Sequence, residues 1–286
     1  MPQDAFHLSQ PEQRLSAVVF ASPHSGSDYP RSFVRNSLLG KHTIRSSEDA
    51  FVDLLFDAAP EFGAPFLKAL VPRAYVDLNR SPDELDPALI EGARRHGHNP
   101  RVASGLGVIP RVVANGQVIY RRKLAMAEAQ RRIETCWRPY HAALQQLLGD
   151  AHRKFGQAIL VDCHSMPHEA MDGVARGAAR RPEIVLGDRF GAAAGADVVD
   201  RIEAAFTAAG LVVTRNAPFA GAYVTLAYGR PSRRQHAVQI EIDRSVYMDE
   251  GRIRPNRNFD AFRAILRQVI AEIAAIGYDQ MPLAAE

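Results

Sequence analysis

The sequence predicts an α/β protein: a single domain in which a parallel or mixed sheet is flanked by helices. Apolar segments that predict strands alternate along the chain with segments whose apolar residues have helical spacing. Residues 159–161 are a continuous apolar run bounded by Gly156 and Pro167, which is typical of a central strand buried on both faces. No linker divides the 286 residues, so we expect one domain over residues 1–286, with its core at about residues 16–277.

The individual elements follow from the spacing of apolar residues and from the Gly and Pro residues between them. Strands are predicted at residues 17–21, 66–70, 74–78, 159–161, 184–187, 211–214 and 237–243. Helices are predicted at residues 50–58, 120–155, 198–209 and 260–276. Pro139 predicts either two helices or a kink within the longest of them. Residues 81–116 are rich in Pro and Gly and predict a long loop, of the kind that is often functional.

The composition excludes several classes of protein. The net charge is +3, and the short basic clusters lack the aromatic or glycine-rich patterns that accompany nucleic-acid binding. No apolar run approaches the roughly 20 residues of a membrane-spanning helix, and residues 1–16 lack the apolar stretch of a signal peptide. Cys136 and Cys163 provide no disulfide framework, so we expect a cytoplasmic protein. The mild positive charge suits a small anionic substrate.

Two histidines follow predicted strands, and together they indicate a metal site. His24 lies in Ser-Pro-His-Ser-Gly after the first strand, and His164 lies in Asp-Cys-His-Ser after the central strand. Taken alone, each is compatible with a loop or core histidine. A catalytic zinc site has three protein ligands and one position left for water. Asp49 or Glu48, at the start of the first predicted helix, is the candidate third ligand, although an acid there also stabilises a helix N-terminus.

The metal that best suits two imidazoles and a carboxylate is zinc, while cobalt, nickel, manganese or iron could occupy the same ligands. Asp162 precedes His164 by two residues and is a candidate to orient its imidazole. Glu241 lies in a strand whose alternation directs Gln239, Glu241 and Asp243 to one face. If that face meets the metal, Glu241 can carry a proton from water to the leaving group. The alternative is a solvated polar face.

Arginines are the candidates for binding an anionic substrate. Asn79 and Arg80 follow the strand predicted at residues 74–78, and the guanidinium group suits bidentate binding of a carboxylate. The alternative for Arg80 is a surface ion pair. Weaker candidates for the same role are Arg73, Arg189 and Arg230.

Three other motifs do not carry a function. Cys163 adjoins His164, but adjacent strand residues point to opposite faces, so we expect the cysteine to be a small core residue. The start of a dinucleotide-binding fingerprint at residues 105–107 lacks its third glycine. His96 and His98, in the long loop, are expected at the surface unless that loop folds over the site.

Several of these residues lie in short motifs that occur in a particular order. The motifs are Ser-Pro-His24-Ser-Gly26, Ser-Glu48-Asp49-Ala-Phe-Val-Asp, Arg73-Ala-Tyr-Val-Asp77-Leu-Asn79-Arg80, Ser104-Gly-Leu-Gly-Val-Ile-Pro110, Asp162-Cys-His164-Ser-Met-Pro167, Leu186-Gly-Asp188-Arg189-Phe-Gly191, Asn216-Ala-Pro-Phe-Ala-Gly221 and Gln239-Ile-Glu241-Ile. In this order, from about Val18 to Tyr247, the chain resembles the N-formylglutamate amidohydrolases, the deformylases of histidine breakdown. The resemblance implies a fold related to the zinc carboxypeptidases (phosphorylase/hydrolase-like), with a mixed sheet between helices.

The same resemblance implies roles for the site residues. His24, His164 and an acid near position 49 would hold the metal, Glu241 would be the general acid and base, and Asn79 with Arg80 would hold the substrate carboxylate. The implied reaction is metal-dependent cleavage of N-formyl-L-glutamate to formate and L-glutamate.

Two other functions are compatible with these residues. One is a related deacylase or carboxypeptidase-like hydrolase of another N-acyl amino acid or peptide, because Ala222 stands where a second glycine is expected after Gly221. The other is a non-catalytic binding protein, which would have lost a ligand or the acid, whereas every candidate is present here. The sequence does not indicate an oligomeric state.

Overall fold

Within the described residues, 4–94, 99–174 and 180–276, the computed structural model contains a seven-stranded mixed sheet. The strands of this sheet are β1 (Phe6–Ser9), β2 (Val18–Ser22), β3 (Phe66–Ala69), β4 (Ala158–Met166), β5 (Ile184–Gly187), β6 (Val213–Arg215) and β7 (Gln235–Asp243). A separate pair is formed by β8 (Met248–Asp249) and β9 (Arg254–Pro255). The helices are α1 (Arg31–Asn36), α2 (Val52–Leu55), α3 (Pro100–Ala103), α4 (Met126–Arg132), α5 (Arg138–Phe155), α6 (Ala196–Ala208), α7 (Tyr223–Tyr228) and α8 (Phe259–Ala274).

The strand order of the sheet is β1-β3-β2-β4-β7-β5-β6. β4 is parallel to both β2 and β7, whereas β5 is antiparallel to β7 and parallel to β6. α2 and α7 pack against β4, and α6 packs against β5, β6 and α8. The predicted α/β class, a mixed sheet flanked by helices, is confirmed.

The central pair of strands, β4 and β7, positions the polar residues that the sequence analysis singled out. Every residue of β4 is buried, and so is every residue of β7 after the first. His164 pairs with Glu241 in the parallel register, and Asp162 pairs with Gln239. Because side chains alternate along a strand and paired residues point the same way, these four side chains share one face of the sheet.

β4 is longer than predicted, and this corrects the position of His164. The strand was expected to end before Asp162, but its pairing with β7 continues as far as Met166. Asp162 and His164 therefore lie inside the strand rather than beyond its end. The polar residues do not end the strand because Asp162 and His164 contact each other on the same face.

The prediction of a strand at residues 74–78 is wrong, because these residues form turns. The N–H groups of Tyr75 and Val76 both donate to the carbonyl of Pro72, which closes a turn. The carboxylate of Asp77 then accepts the N–H of Asn79 at 2.8 Å, so the chain folds back on itself. Ala74, Tyr75, Val76 and Leu78 are nevertheless buried, and that apolar content suggested a strand.

The long helix predicted at residues 120–155 begins only at Met126. α4 runs into a π-helical turn, Ile133–Trp137, and α5 continues directly from it. Pro139 lies two residues beyond that turn, so the predicted irregularity takes the form of a π-helical turn without a chain break. The helix predicted at residues 50–58 shortens to α2 because Phe51 has a left-handed backbone (φ 68°). The elements that were not predicted are β1, β8, β9, α1, α3 and α7.

The chain divides into two compact units. The first lies within residues 1–7, 23–50 and 68–143, and it holds α1, α3 and α4. The second lies within residues 8–22, 51–67 and 144–286, and it holds β4 to β7 and α6 to α8. The single domain expected over the whole chain stays a prediction. In the described part of the chain, no helix combines the length and hydropathy needed to cross a membrane. His96 and His98 lie outside the described residues.

Candidate metal centre

His24 lies two residues beyond the end of β2 and is only 2% exposed. Its Nε2 lies 2.7 Å from Oδ1 of Asp77, and its Nδ1 lies 3.5 Å from Oδ2 of Asp49. An ionised carboxylate can only accept, so Nε2 carries the proton that it donates to Asp77. Nδ1 of His24 therefore keeps a lone pair on the side of Asp49, which is the arrangement of a metal-binding imidazole.

Asp77 is a site residue to which the sequence analysis assigned no role. Besides His24, its carboxylate accepts hydrogen bonds from the N–H of Asn79 (2.8 Å) and from Nε of Arg73 (3.1 Å). Burial alone would raise the pKa of Asp77, but the hydrogen bond from His24 and the charges of Arg73 and Arg80 hold it well below its usual range. Asp77 is thus an ionised, fully buried carboxylate that fixes the orientation of the His24 ring. The available sequence signal was an acid within an apolar run.

The two candidate acids beside α2 have different surroundings. The N–H of Asp49 donates to the carbonyl of His24 at 3.0 Å, and the Asp49 side chain is buried. Glu48 is also buried, but its two oxygens accept hydrogen bonds from Arg45 at 3.0 and 2.8 Å and from the hydroxyl of Tyr29 at 3.1 Å. The Glu48 carboxylate is therefore already neutralised by Arg45, whereas the Asp49 carboxylate points towards His24.

His164 is held by a carboxylate on its own strand. Its Nε2 lies 3.0 Å from Oδ2 of Asp162, and both side chains are buried. The prediction that Asp162 contacts this imidazole is confirmed. Glu241, the register partner of His164, is 9% exposed, and its Oε1 accepts a hydrogen bond from Nε2 of Gln239 at 2.8 Å. The imidazole and the glutamate are therefore side-chain neighbours on adjacent parallel strands.

His24, Asp49 and His164 form a cluster that could hold a metal ion. Each offers one ligand atom, these atoms all lie within 4.8 Å of one another, and all three residues are buried. Ligands about 2.0–2.2 Å from a zinc ion lie within roughly 4.4 Å of each other, so small side-chain adjustments bring the three onto one ion. Two neutral imidazoles and one carboxylate match a zinc site with an open position. The donor set thus fits the metal expected from the sequence.

Cys163 points to the other face of β4 and is completely buried. Burial and the charge of Asp162 raise the pKa of its thiol well above the usual range. A thiol that stays protonated is a poor nucleophile. The expectation that Cys163 is a core residue is confirmed.

Arg80 is nine-tenths buried and firmly held. Its Nε donates to the carbonyl of Leu106 at 3.0 Å, and its Nη1 donates to the carbonyl of Asn79 at 3.0 Å. Burial lowers the pKa of Arg80, and the charge of Asp77 offsets part of that shift, so the guanidinium stays cationic at neutral pH. The Leu106 carbonyl comes close because Gly107 packs against the backbone of Glu84, where a Cβ would lie 2.4 Å from the carbonyl oxygen. Arg80 is not the surface ion pair that was the alternative.

The other arginines differ in their surroundings. Arg73 is a quarter exposed and is paired with Asp77. Arg189 has a left-handed backbone (φ 55°), and its N–H donates to the carbonyl of Ala220 at 2.8 Å. The exposed Arg230 donates to carbonyls of its own segment. Arg189 lies four residues after Val185, which pairs with Glu241. Arg73 lies seven residues before Arg80 in the sequence.

The side chains of Asn216 and Asp188 stabilise the turn that carries Arg189. Asn216 donates from Nδ2 to Oδ1 of Asp188 at 2.6 Å, and its Oδ1 accepts the N–H groups of Asp188 and Phe190 at 3.1 and 3.3 Å. Asn216 itself has a left-handed backbone (φ 60°). The two sequence motifs at residues 186–191 and 216–221 therefore form one structural unit.

A buried His–Asp–His cluster that could hold a metal ion, next to a glutamate on a mixed sheet, is an arrangement that can activate water for hydrolysis. The family model described as N-formylglutamate amidohydrolase matches residues 16–248. The N-formylglutamate deformylase of Pseudomonas aeruginosa is 30% identical over 272 residues, which cover 92% of this chain and 94% of that protein. The chain belongs to the N-formylglutamate amidohydrolase family, as its motifs predicted.

Two further relatives agree with this family. The N-formylglutamate deformylase of Pseudomonas putida is 31% identical over 250 residues, which cover 85% of each chain. The crystal structure of N-formylglutamate amidohydrolase from Ralstonia eutropha JMP134 is similar with a TM-score of 0.90 at 36% identity, and the match covers 97% of this chain and 99% of that one. The range matched by the family model, residues 16–248, spans the positions of all the site residues described above.

Proposed function

We propose that this protein is a metal-dependent amidohydrolase that cleaves N-formyl-L-glutamate to formate and L-glutamate. The observation that carries the proposal is the buried cluster of His24, Asp49 and His164, together with Glu241 as the register neighbour of His164. The names of the relatives supply the substrate. Histidine breakdown in the cytoplasm is the corresponding physiological setting, which agrees with two buried cysteines that form no disulfide.

In this proposal His24, Asp49 and His164 hold one divalent metal ion, which we assign as zinc. When bound, such an ion polarises the formyl carbonyl and makes a coordinated water more acidic. Asp77 and Asp162 keep the two imidazoles oriented. Glu48 takes no part as a ligand, because its carboxylate is bound by Arg45 and Tyr29.

Glu241 carries the proton in the proposed reaction. Its carboxylate takes a proton from the attacking water as the water oxygen bonds to the formyl carbon. It then delivers that proton to the glutamate nitrogen as the carbon–nitrogen bond breaks, which leaves formic acid and a neutral amine. Transfer of the formic acid proton to that amine gives the products, formate and the ammonium form of L-glutamate. The amide of Gln239 holds Oε1 of Glu241, which orients the carboxylate for both transfers.

The substrate is a dianion, and we assign its two carboxylates to arginines. Arg80, with Asn79 beside it, binds the α-carboxylate, because it is a buried cation held in one orientation. Arg189 is our candidate for the side-chain carboxylate, since it lies on a rigid turn after the strand that pairs with Glu241. Arg73 acts on the site indirectly, through its ion pair with Asp77.

The test is release of formate from N-formyl-L-glutamate by purified protein supplied with zinc. Glu241→Gln keeps the shape of the side chain but removes the proton acceptor, so kcat should fall by about 10²–10⁴-fold while bound zinc is unchanged. Glu272→Gln, at an exposed position of α8, is the matched control and should retain full activity. Absence of turnover by the zinc-loaded wild type, or full turnover by Glu241→Gln, would refute the proposal. A panel of other N-acyl amino acids tests the related deacylase.

A further inference from the structure

The π-helical turn between α4 and α5, and α5 itself, each supply one side chain to the turn that carries Arg80. Nε1 of Trp137 donates to the carbonyl of Arg80 at 2.9 Å, and Nε2 of His141 lies 2.9 Å from the carbonyl of Leu78. A carbonyl can only accept, so Nε2 of His141 carries the proton. The two rings stack with their centroids 3.9 Å apart, and both residues are buried. Two carbonyls of the Arg80 turn are therefore bound from one helix.

Trp137 lies where the π-helical turn meets α5. Trp137 is the last residue of that turn, and Pro139, which has no N–H to donate, follows in the first turn of α5. A π-helical turn is less stable than a regular helix and occurs often at functional sites. Trp137 and His141, four residues apart, are on the same side of the helix and face the same backbone segment.

We propose that Trp137 is a positioning residue for the substrate α-carboxylate, which it serves by holding the backbone of Arg80. This proposal rests on the proposed function, because it assigns Arg80 the carboxylate. The backbone of Arg80 is held by Trp137, while Leu106 and Asn79 accept hydrogen bonds from its Nε and Nη1. A guanidinium restrained at both ends loses little freedom when it binds a carboxylate, so the restraint lowers KM and leaves the chemical step alone.

The decisive variant is Trp137→Phe, which keeps an aromatic ring against His141 but removes the N–H donor. Loss of one buried hydrogen bond that orients Arg80 should raise KM for N-formyl-L-glutamate by about five- to tenfold, with kcat within about twofold of wild type. Thr135→Ala is the matched control. It removes a hydrogen bond of similar length in the same π-helical turn, from Thr135 to the carbonyl of Arg131, and should leave KM unchanged.

A second substrate separates positioning from general damage. 4-Formamidobutanoate keeps the formamide and the distal carboxylate but lacks the α-carboxylate. Wild type and Trp137→Phe should therefore have the same kinetic constants for this compound. It is measured as a substrate, or as a competitive inhibitor if its turnover is slow. Three results would overturn the role of Trp137. In Trp137→Phe these are an unchanged KM for N-formyl-L-glutamate, a fall in kcat with no change in KM, or an equal rise in KM for both compounds. If wild type releases no formate from N-formyl-L-glutamate, the proposed function itself fails and this role fails with it.

His141 provides an independent check should Trp137→Phe not fold. His141→Gln places an amide N–H near the position of Nε2 and should keep KM close to that of wild type. His141→Leu removes the donor and should raise KM for N-formyl-L-glutamate, but not the corresponding constant for 4-formamidobutanoate. Equal KM values for the two variants would contradict the proposal. Thermal unfolding of each variant confirms that the folded protein is being compared.

Discussion

The carboxylate of Asp77 offers the sharpest test of the candidate metal centre. Asp77→Asn keeps the size of the side chain and an oxygen that can accept from Nε2 of His24 and from the N–H of Asn79. It removes the negative charge and presents an amide N–H towards Nε of Arg73, where Oδ2 now accepts at 3.1 Å. The substitution therefore leaves the ring of His24 in place but makes it a weaker base.

The expected size of the effect follows from these contacts. Loss of a carboxylate that orients a metal-binding imidazole typically weakens metal binding by about 10–100-fold, which is roughly 1.4–2.8 kcal/mol. The hydrogen bond and ion pair with Arg73 are also lost. Arg73 is a quarter exposed, so the loss of folding stability should be about 1–3 kcal/mol and not the larger value of a fully buried pair.

The effect of Asp77 on stability should depend on pH. The pKa of Asp77 is lowered in the folded protein, so its stabilising contribution is present above the ordinary aspartate pKa of about 3.9. That contribution is lost as the pH falls towards the folded-state pKa. The difference in unfolding free energy between wild type and Asp77→Asn should therefore be largest near neutral pH and should shrink below about pH 4.

The assay is a zinc titration of metal-free protein against a chromophoric chelator, followed by urea unfolding at several pH values. Asp83→Asn is the matched control, because Asp83 is an exposed acid in the same unit of the chain. It should bind zinc as wild type does. If Asp77→Asn also binds zinc with wild-type affinity, then Asp77 does not orient a ligand, and the assignment of His24 to the metal is wrong.

Three further predictions test other parts of the structure. Gly26→Ala should lower the unfolding free energy by about 1–3 kcal/mol, because the new Cβ would lie 2.1 Å from the carbonyl oxygen of Val71. Since Gly26 lies two residues after His24, the substitution should also weaken zinc binding. Unfolding curves measure the first effect and the zinc titration measures the second. Nδ1 of His236 accepts a hydrogen bond from the N–H of Gly195, and burial lowers the pKa of His236. The unfolding free energy should therefore fall as the pH drops below about 6.5. Urea midpoints should show a smaller fall for His236→Asn, which retains an acceptor. Chelation should abolish formate release and lower the unfolding temperature, and added zinc should restore both.

Local patterns predicted those parts of the site that depend on short segments of sequence. The apolar run before Asp162 predicted the central strand, and the alternation around Glu241 predicted the face that it shares with Gln239. The contact between Asp162 and His164 was also predictable, because residues two apart on a strand lie on one side. The end of β4 was not, since polar residues normally mark a strand end and here they are buried as a contacting pair.

Contacts between distant residues escaped prediction for a physical reason. Asp77 and His24 are 53 residues apart, and Trp137 and Arg80 are 57 apart. No periodicity links such positions, because their approach depends on how whole segments pack. The apolar residues around Asp77 predicted a strand, but Pro72 and the Asp77 carboxylate close a turn instead, which brings the acid to His24.

Each of the two histidines in the cluster contacts a buried carboxylate, but the two carboxylates come from different parts of the structure. In each, a buried carboxylate lies at Nε2: Asp77 at 2.7 Å for His24, and Asp162 at 3.0 Å for His164. For His24, a proton held at Nε2 leaves Nδ1, on the side of Asp49, as the ligand atom. For His164, the carboxylate at Nε2 favours the same neutral tautomer. For His164 the strand itself delivers the carboxylate, whereas for His24 a turn must bring it from a distant segment. The His24 side of the site therefore depends on tertiary packing, and substitutions in the turn at residues 72–80 should impair metal binding even where they contact no ligand.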